Sequence, residues 1–226
     1  MNPEELQEAI YRFERGIPEL LNARAVLYHL RSNFVNYFSM FGIENMQIDD
    51  YVLGVIRPEI GFNFCYGLER QLDRLGNING STAFKFGVYY GRTKRDINYE
   101  YRFTQSFGAT YQEAFENVRN AITDLLTCGE NEDIDNIIRN PISTMFKGKI
   151  LSTYFPERYL NIFSFKHLNY YLTQLDLATP ILLKSDPVIK REELIAYKNQ
   201  NLVMNVWSVD SFATFLWTEI LKNHKI

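Results

Sequence analysis

The chain has 226 residues, enough for one large domain or two small ones around a real buried core. Its net charge of −3 supplies no overall pull toward a polyanion, so nucleic-acid binding would need a local basic patch. Cys65 and Cys128 stand far apart with no CxxC pair, which argues against a structural zinc site and a disulfide framework and suits a reducing cytoplasm, the expected location.

The N-terminus, MNPEELQEAI, is acidic and amphipathic rather than a signal peptide, and no apolar run approaches the length of a membrane span. Asn2-Pro3-Glu4-Glu5 reads as a helix start: a capping Asn, Pro in the first turn, and carboxylates near the positive end of the helix dipole. Gly16 is expected to end that helix and Pro18 to open a second, from Glu19 to about Arg31. An aromatic block from Phe34 to Phe41 can continue as helix up to Gly42. Asp49 and Asp50 read as helix-capping carboxylates, since adjacent acids point apart and lack the other ligands that a metal requires. Arg57 to Gly61 reads as a loop, and Phe64 to Leu75 as a helix closed by Gly76, with Glu69, Arg70, Asp73 and Arg74 facing solvent.

The segment from Ala83 to Thr104 has the densest β-forming composition. Phe84, Phe86, Val88 and Tyr90 alternate with Lys85, Gly87 and Tyr89, and Tyr99, Tyr101 and Phe103 alternate with Glu100, Arg102 and Thr104. With the polar turn Gly91–Asn98 between them, these runs predict a β-hairpin. Helices are expected from Tyr111 to Thr127, from the acidic run Glu130–Asp135 up to Pro141, from Ser143 to Phe155, from Phe165 to Leu175, from Val188 to Lys198, and from Asp210 to Lys222. Tyr159–Phe163 is a short strand candidate, and Leu177–Pro187 reads as a loop. The fold class expected is α+β: a single, predominantly helical domain over residues 1–226 around a small antiparallel hairpin or sheet, with residues 1–80 as a possible helical subregion. The aromatic content, 17 Phe and 15 Tyr, is read mainly as core.

Catalytic signatures are sparse. His29, His167 and His224 fall in no HExxH or Cys/His cluster, and neither GxSxG nor a P-loop is present. Gly87-Val88-Tyr89-Tyr90-Gly91 looks superficially like a GIY-YIG nuclease, but one run cannot supply the two separated strands that such a site needs. No cofactor and no metal are expected. What remains is binding chemistry. Lys85, Arg92, Lys94, Arg95 and Arg102 lie in the hairpin, opposed by Asp96 and Glu100 and interleaved with Tyr89, Tyr99 and Tyr101. Guanidinium and ammonium groups contact phosphates, tyrosines stack on bases, and a two-stranded ribbon fits the major groove. The same charges also suit an edge guarded against association. A second basic set is Lys147, Lys149, Arg158 and Lys166.

Several features together resemble the N-terminal recognition regions attached to McrB-like motors of modification-dependent restriction systems. They are Phe34-Val35, Asp50-Tyr51-Val52-Leu53-Gly54, Phe64-Cys65-Tyr66 with Glu69, Lys85-Phe86-Gly87-Val88-Tyr89, Lys149-Ile150-Leu151, Tyr154 through Ser164, His167-Leu168 and Trp207. The resemblance implies a module that recognises DNA, with or without a modified base, and delivers it to an ATP- or GTP-driven motor with a partner nuclease. The chain departs from the full-length pattern in having no Walker motif and no recognisable nuclease motif, so motor and nuclease are expected elsewhere on the polypeptide or on partner chains. On this reading Lys85, Arg92, Lys94, Arg95, Arg102, Lys147 and Lys149 contact phosphates, and Tyr89, Tyr90 and Tyr101 contact or stack on bases. The alternatives are a protein-docking module with a Phe/Tyr-rich surface, and a metal-dependent nuclease using a carboxylate such as Asp50 or Glu69.

Overall fold

Asn2 begins the longest helix, α1 (Pro3–Tyr37): its side chain accepts from the Glu5 N–H at 2.8 Å, while the Glu5 carboxylate accepts from the Asn2 N–H at 3.2 Å. The computed structural model describes residues 1–55, 63–80, 82–94 and 96–221. The break expected at Gly16–Pro18 is absent, and α1 continues through both residues. An interior proline removes one helical hydrogen bond and crowds the preceding turn. Here the body of the protein grips the helix on both sides of that defect. Before it, Arg12 reaches Glu219 at 2.5 Å and Ala9 and Ile10 are buried; beyond it, Arg24 and Tyr28 donate to Asp210 and Phe34 is buried. Tertiary contacts therefore override a local stop signal.

Two short helices follow, α2 (Met40–Glu44) and α3 (Ile48–Tyr51). Asp50 does serve at a helix start, accepting from the Gln47 N–H at 3.2 Å as the third helical residue. The next helical stretch changes pitch: α4 (Phe64–Tyr66) leads into a π-turn over Gly67–Gln71 and a 3-10 turn over Asp73–Leu75, ending at Gly76 with φ +100°. The loop expected at Arg57–Gly61 lies outside the described residues, as do Ser81, Arg95, Lys222 and His224.

The hairpin is present but shorter than expected. Ala83–Phe86 coils into a 3-10 turn, Gly87 takes φ +77°, and only then does β1 (Val88–Gly91) begin, antiparallel to β2 (Glu100–Phe103). Val88 pairs with Phe103, Tyr89 with Arg102, Tyr90 with Tyr101 and Gly91 with Glu100. Alternation in the sequence extends past the strand because Phe86 is drawn into the helical core, where the Tyr51 hydroxyl donates to its carbonyl. The outer edge of β1 is capped by one bond, Tyr90 N–H to the Leu53 carbonyl at 3.0 Å. That contact depends on Gly54, which has φ +106° and would set a Cβ 2.1 Å from the Tyr90 oxygen. Gly54→Ala is expected to lower the unfolding free energy by about 3 kcal/mol, read from urea denaturation, and a midpoint equal to wild type would contradict this packing.

The regular elements that follow among the described residues are helical: α5 (Tyr111–Glu130), α6 (Ile134–Arg139), α7 (Thr144–Tyr154), α8 (Phe165–Gln174), α9 (Pro187–Gln200) and α10 (Val209–Phe215), the last continuing as a π-turn over Leu216–Leu221. No helix among the described residues is long and apolar enough to cross a membrane. The strand expected at Tyr159–Phe163 does not form. That segment links α7 to α8 without regular secondary structure, and side chains rather than a sheet hold it: Tyr159 donates to the Gly129 carbonyl at 2.8 Å, and Arg191 to the Ile162 carbonyl at 3.5 Å.

Among the described residues, burial divides into two cores. One gathers Phe34, Phe38, Tyr51, Phe64, Phe86, Phe115 and Phe146 beneath the hairpin. The other gathers Ile10, Tyr171, Trp207, Phe212 and Phe215. The division does not fall at residue 80, because the start of α1 packs with the C-terminal helices while its end packs with the hairpin core.

Candidate functional site

The hairpin holds its tyrosines as a ladder. Tyr90 lies 5.9 Å from Tyr99 and 5.1 Å from Tyr101, and Tyr101 stacks on Tyr111 at 4.7 Å with 15° between planes. The Tyr101 hydroxyl donates to Asp49; burial, then that carboxylate, pushes its pKa up to about 12. Tyr101 is thus a strut between the sheet and α3, while Tyr89 is half-buried with its ring edge against Phe84 at 5.4 Å.

The basic residues divide sharply by environment. Arg92 and Lys94 are exposed at the turn, and the Arg92 guanidinium lies 5.2 Å from the Tyr99 ring centroid. Arg102 is an internal brace. It donates to Asp96 and, at 2.6 Å, to Glu100, and the Asp96 carboxylate also accepts the Thr93 N–H at 2.5 Å. Those bonds, the ones from Thr93 foremost, hold the Asp96 carboxyl below the ordinary carboxylate range. Arg95 lies outside the described residues.

Three lysines expected at the surface are buried instead. Lys85 pairs with Glu69 at 2.5 Å and lies over the Phe86 ring. Lys147 donates to the Ile138 carbonyl at 2.9 Å. Lys149, fully buried, donates to the carbonyls of Leu72, Leu75 and Gly76 at 2.6, 3.0 and 2.9 Å. The cause is shared: each long apolar stem crosses the core so that the ammonium meets carbonyls at the end of a helical turn, or a carboxylate. Arg158, of the second basic set, forks onto Glu192 at 3.0 and 2.5 Å and reaches Glu132 at 2.7 Å. Glu69, expected at the surface, is buried against Lys85. Among the described residues no group of His, Cys, Asp or Glu is arranged to hold a metal ion.

A cleft of about 550 Å³ lies on the seam between the two cores. Its floor is the Asp73–Asn79 segment, fastened from below by Lys149, and its walls come from α1, the irregular Asn161–Ser164 segment, α8 and α10 with its continuation. Asp210 organises the inner end, accepting from Arg24, from the Tyr28 hydroxyl at 2.7 Å and from Asn161 Nδ2 at 2.9 Å. Burial and that carboxylate push the Tyr28 pKa up to about 12. At the other end, His167 meets the half-exposed Trp217 edge to face at 5.6 Å, and burial pulls its imidazole below the ordinary histidine pKa. The buried Tyr171 hydroxyl and Asn161 Oδ1 have no hydrogen-bond partner among the described residues.

None of Asn161, Tyr171, Asp210 and Trp217 was singled out by the sequence as a site residue. The available signal was Asn161, a carboxamide set inside the apolar run Tyr159–Phe163. No family model, curated protein or solved structure matches the chain.

Proposed function

We propose that the chain is a non-catalytic DNA-recognition module of a restriction or anti-phage system, presenting its hairpin tip to the duplex. The observation that supports this reading most directly is the tip itself. Arg92 and Lys94 project from a two-stranded ribbon beside an exposed tyrosine, while the Arg102–Asp96–Thr93 brace holds the turn that carries them. Two cations and an aromatic ring at the end of a narrow ribbon suit phosphate contact with base stacking at a groove edge. The resemblance to McrB-like recognition regions adds the expectation of an ATP- or GTP-driven motor and a nuclease as partners. Phosphate contact is assigned to Arg92 and Lys94, and stacking to Tyr99 with the outer face of Tyr90. The buried Lys85, Lys147 and Lys149 and the braced Arg102 drop out of the contact set.

Arg92→Ala combined with Lys94→Ala is expected to reduce the slope of log affinity against log salt by about 2, with the fold unchanged by circular dichroism. Fluorescence anisotropy on a labelled duplex over about 50–200 mM salt reads that slope. A variant that tracks wild type across the series overturns the assignment.

A second reading draws on the apolar character of the same region: Ile97 is 89% exposed, Phe84 54% and Tyr99 53%. Such side chains grouped on one hairpin suit a partner protein. That reading expects a concentration-dependent mass by sedimentation and no affinity for a duplex.

A further inference from the structure

We propose that the seam cleft is a binding site for a neutral nitrogen heterocycle, a free nucleoside, independent of the hairpin's role. Four properties of the cleft lead there. The first is size: about 550 Å³ lies within the range of small-ligand sites.

The second is charge. Arg24 and Arg74 are balanced by Asp73 and Asp210, and His167 is held toward its neutral form, so the lining favours an uncharged occupant over an anion. The third is the pair of unmatched polar atoms. Asn161 Nδ2 donates to the Asp210 carboxylate, which fixes the carboxamide and leaves Oδ1 as an acceptor seeking an N–H or O–H. The Tyr171 hydroxyl, on a side chain that is 0% exposed, is free both to donate and to accept. An occupant that offers a donor beside a donor–acceptor edge answers both, as the amino and ring-nitrogen edge of a nucleobase does. The fourth is the aromatic end, where Trp217 stands half-exposed with His167 against it and gives a planar ring a surface to lie on. Asn161 and Tyr171 both line the cleft while their unmatched atoms are closed to solvent, so a ligand engages them through a small outward turn of these side chains.

The test is titration calorimetry of the full chain with adenosine, guanosine, cytidine and uridine, and with their 5′-monophosphates. At least one nucleoside is expected to give saturable single-site binding, with its monophosphate no tighter. Trp217→Ala and the near-isosteric Tyr171→Phe are each expected to weaken that binding by about tenfold, the loss of one stacking or buried hydrogen-bond contact. The Arg92→Ala, Lys94→Ala variant is expected to bind the nucleoside as wild type does, which separates this site from the hairpin. Absence of saturable binding to all four nucleosides overturns the proposal, as does binding that survives both cleft substitutions. A single-stranded oligonucleotide of the same base is the remaining arm: if the strand binds in the cleft and the nucleoside does not, the free-ligand assignment is wrong.

Discussion

Glu69→Ala is expected to lower the unfolding free energy by about 3–5 kcal/mol, among the largest single-site losses in the molecule. Glu69 and Lys85 have side chains only 4% and 3% exposed and meet at 2.5 Å. Forming such a pair removes two charges from water at a cost close to the attraction gained, so its net contribution is small. Removing one partner is different, because the Lys85 ammonium then stays in the core without its carboxylate. Replacing both, with Glu69→Leu and Lys85→Met, is accordingly expected to recover most of the loss. Urea denaturation of Glu69→Leu, of Lys85→Met and of the two combined, alongside Glu69→Ala, forms a complete cycle. A Glu69→Ala midpoint indistinguishable from wild type would mean that the pair is solvated. The same cycle bears on the alternative nuclease reading, since a carboxylate committed to a lysine in the core is poorly placed to bind a metal.

The pH dependence of stability is expected to carry the signature of Lys149. Burial pulls its pKa from 10.5 to about 7, with Asp73 and then Asp210 acting in the opposite sense. In the unfolded chain the same group titrates near about 10.4. Between these values the unfolded state holds more protons than the folded one, so stability rises with pH across this window and falls as pH is lowered toward 7. The limiting slope is about 1.4 kcal/mol per pH unit, or about 2–3 kcal/mol between pH 7 and 9. Lys149→Met is expected to lack this rise while retaining the other contributions to the profile. Denaturation midpoints at intervals across that range, taken for both proteins, make the comparison, and parallel curves would rule out the assignment. The consequence reaches the cleft, because the carbonyls that face Lys149 Nζ belong to the segment forming the cleft floor.

Much of the secondary structure follows from local rules, and the agreement is closest where those rules act alone. Asn2 and Pro3 open α1, Asp133 caps the helix after the acidic run, and the Tyr111 helix places Ala114, Phe115, Val118, Ile122, Leu125 and Leu126 inward at the expected spacing. The antiparallel pairing of the two tyrosine-bearing runs is likewise legible, because strand alternation has a short period and needs few neighbours to register. The departures share a cause. Pro18 is a stop signal by sequence, yet α1 passes through it because Glu219 and Asp210 hold it on either side. Phe84 to Phe86 has strand alternation, yet it coils because Tyr51 and the core below claim Phe86.

The candidate site shows the same boundary more severely. A list of lysines and arginines carries charge but not direction. Lys85, Lys147 and Lys149 turn inward because a flexible apolar stem gains by crossing the core wherever carbonyls or a carboxylate wait at its end. Glu69 could have been suspected, since it stands four residues after Cys65 and three before Leu72, both buried. The cleft could not, since its walls come from α1, the turn at Gly76, the segment at Asn161 and the C-terminal helix, which meet only when the two cores close against each other. By itself, then, the amino-acid order determined where most helices begin, which two tyrosine-bearing runs pair as strands, and the α+β class, all consequences of forces acting over a few residues. Which cations face water, and where the chain leaves a space for a ligand, were decided by long-range packing, because burial depends on neighbours that are distant in sequence.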